Sequence, residues 1–101
     1  MGCPVILTPQ SINDLRGIVR FIARDDPERA KSFGNLLIDK ALSIGTMPER
    51  GRVVPELEDQ SVREIVHGSY RIIYEVIQSP TAVYVLRFWH GARGTPNVDK
   101  T

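Results

Sequence analysis

Apolar residues follow two different patterns along this chain, and the change comes near residue 60. Before it they recur at intervals of three and four. Ile12, Leu15, Val19 and Ile22 make one stripe. Ala30, Phe33, Leu37, Ala41 and Ile44 make a second, widened by Leu36 and Ile38. Such spacing places apolar side chains on one face of an amphipathic helix. Beyond residue 60 the runs 62–66, 70–77 and 82–89 are rich in Val, Ile and aromatic residues. That is the composition of strands.

The boundaries have a local chemistry. Thr8-Pro9 and Asp26-Pro27 each pair a capping side chain with a proline suited to the first helical position. The pattern therefore predicts helices over 9–24 and 27–44, joined tightly enough to be antiparallel neighbours. Asp14 near the start of the first and Arg24 at its end suit the helix dipole. Gly17 costs roughly 1 kcal/mol against Ala in a helix interior; it either permits a close crossing or is simply tolerated. Gly45 and Pro48 end the second helix. The apolar run 3–7 reads as an edge strand, where Pro4 is tolerated. Residues 48–60 read as a polar surface loop. Short links at 67–69 and 78–81 join the last three runs into an antiparallel meander.

Alternation assigns faces within the meander. Tyr70, Ile72, Tyr74 and Val76 share one face and should meet the helices; Arg71, Ile73, Glu75 and Ile77 share the other, which should be partly open. In the last strand, Arg87 falls with Val83, Val85 and Trp89, and His90 with Tyr84, Leu86 and Phe88. Arg71 in such a position is either an ion-pair partner of Glu64 or Glu75, or a contact for something outside the chain.

Composition narrows the possibilities. A chain of 101 residues fits one domain over 1–101, with 91–101 as a polar and mobile C-terminal tail. The net charge of +1 gives no global attraction for polyanions. Any cationic site is local: 62–101 holds Arg63, Arg71, Arg87, Arg93 and Lys100 against Glu64, Glu75 and Asp99, together with His67 and His90. The lone Cys3 excludes a disulfide within the chain and a thiolate metal cluster. Two histidines are a poor metal set, no phosphate-loop or dinucleotide motif is present, and neither Ser69 nor Ser79 sits in a nucleophile elbow. No cofactor and no metal are expected. No run approaches ~18 consecutive apolar residues, so a cytoplasmic protein without membrane association is expected.

The order and spacing of several short motifs resemble the RelE/ParE superfamily of type II toxins. They are Thr8-Pro9, Asp14-Leu15, Asp26-Pro27 with Ala30, Pro48, Gly51-Arg52, Arg63-Glu64, the run Tyr70-Arg71-Ile72-Ile73-Tyr74, and His90-Gly91-Ala92-Arg93. Each is weak alone; together they span nearly the whole chain. The resemblance implies an α+β fold, an N-terminal helical hairpin packed on a small twisted, mostly antiparallel sheet. It also implies a cognate antitoxin as partner.

Two targets are represented in the superfamily. One branch cuts messenger RNA on the ribosome. There Arg71 and Arg93 look like the cations over the reacting phosphate, His90 like the acid, and Glu56 like a carboxylate base; such chemistry needs all of these. The lysine pair of one subgroup is absent, its positions being Val62 and Glu64, and no terminal tyrosine or histidine follows Arg93. The other branch poisons DNA gyrase and needs no active site. Its glycine–arginine, arginine–glutamate, tyrosine–arginine and histidine–x–x–arginine pattern is the one this chain looks most like, with Arg63, Arg71, Arg87 and Arg93 as target contacts. A binding module that has lost toxicity is a third reading.

Overall fold

The structure, a computed structural model, describes residues 2–100. In chain order it comprises β1 (Val5–Leu7), α1 (Pro9–Ala23), α2 (Pro27–Ser43), a 3-10 turn at Ile44–Thr46, β2 (Arg52–Val53), β3 (Val62–His67), β4 (Tyr70–Ile77), β5 (Ala82–His90) and a second 3-10 turn at Gly91–Arg93. The fold is α+β. One sheet runs in the order β1-β5-β4-β3-β2, with β1 parallel to β5 and every other pair antiparallel. Among the described residues, no helix is long and apolar enough to cross a membrane.

Both helix starts are capped as the sequence indicates. The Thr8 hydroxyl accepts the Ser11 N–H at 3.2 Å and donates to the Val85 carbonyl at 2.8 Å, so the cap also fastens α1 to β5. Asp26 accepts the Arg29 N–H at 3.0 Å. The helices end at Ala23 and Ser43, with Arg24 and Ile44 as their C-caps. The first strand is shorter than 3–7, because it pairs with β5 only from Val5 to Leu7. β2 is an addition to the expected elements. Its two residues pair with Arg63 and Glu64 at the far edge of the sheet, too short a stretch to leave an alternating signal.

The hairpin covers one face of the sheet. Leu15, Leu37, Ala41 and Ile44 meet Ile72, Tyr74, Val76, Val83, Val85 and Phe88 there. The close crossing of the helices falls at Gly34, where a Cβ would lie 2.8 Å from Val19 Cγ2. Gly17 has open space around its Cβ position, so of the two readings of that residue simple tolerance holds.

The alternation read along 82–89 breaks in the middle of β5. Ile72 and Ile73 pair with Phe88 and Arg87, but Tyr74 pairs with Val85. Leu86 is the extra residue of a bulge. Val83, Val85 and Phe88 consequently face the helices, while Leu86 and Trp89 join Ile73 on the opposite face.

That opposite face is covered rather than open. Val54, Leu57 and Val98 close over Val62, Ile73, Leu86 and Trp89. Part of the polar tail expected from Gly91 onward makes contacts with the rest of the chain. Pro96 is buried, the Trp89 indole donates to the Gly94 carbonyl at 3.0 Å, and Lys100 pairs with Asp59 at 2.6 Å. The tail has little apolar surface of its own but binds through backbone carbonyls and one cation. Thr101, the last residue of the expected tail, lies outside the described residues.

Candidate functional site

Arg71 is held by three hydrogen bonds to two carboxylates. The bulge-free half of β4 places it beside Trp89 of β5 and Val66 of β3, on the face away from the helices. Its Nε donates to Glu64 Oε1, and its Nη1 and Nη2 donate to the two oxygens of Glu56 at 2.9 and 2.8 Å. Glu64 lies on the same face of β3, diagonal to Arg71. Its buried carboxylate also accepts Arg52 Nε at 2.6 Å. The Arg71 side chain is 12% exposed. Its pKa is raised further above the ordinary arginine value, first by the hydrogen bond to Glu56. The same hydrogen bond lowers the Glu56 carboxyl from 4.5 to about 2.

Arg87 is held differently. Its Nε and Nη2 donate to the two Asp14 oxygens at 2.7 and 2.9 Å, and its Nη1 donates to the Asn97 carbonyl at 2.7 Å. It is 8% exposed. Arg87 therefore joins α1, β5 and the tail from within. Arg93 is exposed, with its guanidinium carbon 4.0 Å from the centre of the Trp89 ring, while that of Arg87 lies 4.9 Å away. Cations over an indole face are attracted by its quadrupole. Arg63 donates to the Gly51 carbonyl at 2.8 Å and steadies the loop before β2.

His90 ends β5. Its Nδ1 accepts the Ala92 N–H at 3.0 Å, which leaves Nε2 to carry the hydrogen of the neutral ring. Its ring meets Tyr70 edge-on at 5.0 Å, and Tyr70 in turn contacts Phe33. Burial pushes the Tyr70 hydroxyl pKa upward. His90, Arg87, Arg93, Tyr70, Asp14 and Phe21 border a groove of about 450 Å³ between α1 and the end of β5.

The expected residues are thus dispersed. Arg71 joins Glu56 to Glu64; Arg87, His90 and Arg93 line the groove, with Trp89 next to both sets; and Arg63 stands apart on the loop before β2. Asp14, Arg52 and Glu64 matter more to the geometry than the sequence suggested. The signal for Glu64 was its place on the same strand face as Val62; Asp14, 73 residues from Arg87, left none. Among the described residues, no group of three or more His, Cys, Asp or Glu side chains is placed to hold a metal ion.

A family model described as "ParE toxin of type II toxin-antitoxin system, parDE" matches residues 5–94. A structure of the chromosomal ParDE toxin–antitoxin system from P. aeruginosa superposes with a TM-score of 0.70 at 16% identity, over 87% of this chain and 95% of that one. A structure of the RelBE2 toxin–antitoxin complex from Mycobacterium tuberculosis gives a TM-score of 0.68 at 22% identity, over 89% and 92% of the two chains. At such identities these likenesses speak to the fold alone. No curated protein matches the sequence. With the family match running from β1 to Gly94 across helices, sheet and the last 3-10 turn, the chain belongs to the ParE toxins of type II toxin–antitoxin systems, within the RelE/ParE superfamily.

Proposed function

We propose that this chain is a cytoplasmic toxin that inhibits DNA gyrase and is neutralised by a cognate antitoxin. The observation that carries the choice of target is the state of Glu56. A carboxylate gripped by both Nη groups of Arg71 and held at about 2 is a weak proton acceptor. Glu64, the other carboxylate at Arg71, is occupied by two arginines. His90 spends Nδ1 on the chain itself. These groups suit a contact surface better than a ribonuclease site. In this reading Arg71 and Arg93 address the target, and Arg87 supports the surface through Asp14 and the tail, while Arg63, on the other face of β3 from Glu64, holds the loop before β2 instead.

The helical hairpin offers a place for the antitoxin. Phe21, Leu36 and Leu42 are 69%, 38% and 51% exposed. Leu15, Val19 and Ala23 line a shallow apolar groove flanked by Arg16 and Arg20, which suits an amphipathic segment with acidic flanks.

The test sets purified protein against two systems. With gyrase and supercoiled plasmid, cleaved DNA and lost supercoiling are expected. With a programmed ribosome, no cut message is expected. Arg71→Ala and Arg93→Ala should each abolish the gyrase effect. His90→Gln and Glu56→Gln should leave it in place, whereas a nuclease would lose roughly 10²-fold or more in cleavage. Message cleavage without a gyrase effect overturns the assignment to gyrase. Inactivity in both systems favours an antitoxin-binding remnant.

A further inference from the structure

Trp89 stands between Arg71 and Arg93. In the β4–β5 register it is the cross-strand partner of Arg71. Directly opposite residues of an antiparallel pair project from the same face, with Cβ atoms about 5 Å apart. From the turn after β5, the Arg93 guanidinium carbon comes to 4.0 Å from the centre of the indole ring. The ring has no room to drift. It is 4% exposed and packed with Val54, Val62, Ile73 and Leu86. Its Nε1–H donates to the Gly94 carbonyl at 3.0 Å, so Trp89 holds the end of the turn as well as the side chain on it. The same turn is tied at two further points. The Gly91 N–H donates to the Ser69 carbonyl at 2.8 Å, and the Ala92 N–H to His90 Nδ1 at 3.0 Å.

The arginines differ in what their nitrogens do. Arg71 donates from Nε, Nη1 and Nη2 to Glu64 and Glu56. Arg87 donates from the same three to Asp14 and the Asn97 carbonyl. Arg93 is exposed, and among the described residues its guanidinium meets the Trp89 ring and no carboxylate or carbonyl. A ring face attracts a guanidinium without taking any of its N–H groups. All five donors therefore stay in one rigid plane, open to a partner. An exposed arginine without such support gives up rotamer freedom when it binds, and holding it beforehand removes part of that cost. We propose that Trp89 is a positioning residue of the target-contact surface: anchored in the outer core, it sets the Arg93 guanidinium at a fixed separation from Arg71 with its donors free. The inference rests on the reading that Arg71 and Arg93 address the target. Trp89 itself offers the target almost no surface, so its effect passes through Arg93.

The test compares the full chain with Trp89→Phe, Trp89→Leu, Arg93→Lys and Val62→Ala. Three quantities are read: growth arrest on induced expression, the gyrase effect, and the proton NMR shifts of the Arg93 side chain. In the parent, the ring current of the indole should move the Arg93 side-chain protons upfield. Trp89→Phe keeps a ring and should keep a smaller shift, with activity within about threefold of the parent. Trp89→Leu should lose the shift, and roughly tenfold more protein should be needed for growth arrest and for the gyrase effect. Arg93→Lys keeps a charge on the turn but gives up the planar fork, and should lose about as much. Val62→Ala thins the same cluster and leaves the ring in place, so it should keep both the shift and the activity. If Trp89→Leu does not fold, the parent spectrum, Trp89→Phe and Arg93→Lys still decide. Unshifted Arg93 protons in the parent, or a folded Trp89→Leu with full activity, overturn the proposal. So does a loss in Val62→Ala equal to that in Trp89→Leu, which would make the effect one of stability. A parent that arrests growth without affecting gyrase sinks the choice of target, and the positioning is then judged on growth arrest and the shifts.

Discussion

Asp14 of α1 accepts the main-chain N–H of Phe88 at 3.1 Å. The bond continues the edge of the sheet by other means. β1 pairs with β5 as far as Val85, and Thr8 adds its N–H and hydroxyl to the Val85 carbonyl. Beyond that point, among the described residues, no strand covers this edge of β5, and a helix carboxylate takes the Phe88 N–H there. The same carboxylate holds Arg87 with both oxygens. One side chain thus completes a strand edge and neutralises a buried cation.

Removing that carboxylate leaves Arg87 buried without its charge partner. Breaking one side of a buried pair costs about 3–5 kcal/mol, whereas replacing both sides by apolar groups is often close to neutral. Asp14→Ala should therefore lower stability by an amount in that range, and Asp14→Ala with Arg87→Met should recover more than half of it. Urea unfolding followed by Trp89 fluorescence measures both. Equal losses in the single and double variants would show that the Phe88 bond, not the ion pair, dominates.

The two helix glycines should respond with opposite signs. A Cβ at Gly17 meets nothing within 4 Å. Gly17→Ala should stabilise by about 0.5–1 kcal/mol through helix propensity and a less flexible unfolded chain. A Cβ at Gly34 lies 2.8 Å from a Val19 methyl. Gly34→Ala should destabilise by about 1–3 kcal/mol through overpacking. Thermal melting decides, and a stabilised Gly34→Ala would mean that Val19 rotates away at no cost.

The difference between those glycines also shows what the sequence could reveal. Helix extents were legible because Thr8-Pro9 and Asp26-Pro27 fix starts locally and the apolar stripes fix faces. The partners of α1 were not, since the close approach depends on which residue of α2 lies opposite Val19. Strand faces were legible in β4, where alternation is unbroken. They failed in β5 because a bulge at Leu86 adds a residue without any mark in the sequence. At the candidate site, Arg71 was legible as a cation on a strand, with Glu64 among its possible partners. Its bidentate hold by Glu56 was not, because that depends on the path of an irregular loop.

Acid should weaken the Glu56 contact in a defined window. The carboxyl titrates at about 2 in the folded chain, against an ordinary 4.5, chiefly because of the Arg71 hydrogen bond. A depressed carboxyl pKa contributes stability that is fully present above the unfolded value and is lost as pH falls through the folded value. The stability difference between the parent and Glu56→Gln should be constant above about pH 5 and shrink as pH falls from 4.5 toward 2. Asp59, lowered to about 2 by its hydrogen bond to Lys100, responds in the same direction, so the comparison must be made between the two proteins at each pH. A difference that does not change across this window would remove Arg71 as the cause of the shift.

Deleting residues 95–101 should separate folding from toxicity. The deletion removes Pro96, the Asn97 carbonyl on Arg87, Val98 from the outer cluster, and Lys100 from Asp59. It leaves the helix-side core and the match to the toxin family, which ends at Gly94, intact. A loss of about 1–3 kcal/mol is expected, dominated by the acceptor taken from the buried Arg87. The shortened chain should keep its circular dichroism spectrum and its antitoxin, and lose toxicity as the surface beside Arg93 and Trp89 loosens. Asn97→Ala should be nearly silent, because the bond to Arg87 is made by the main chain. An unfolded deletion variant would make the tail part of the core; a folded one with full toxicity would remove the tail from the target-contact surface.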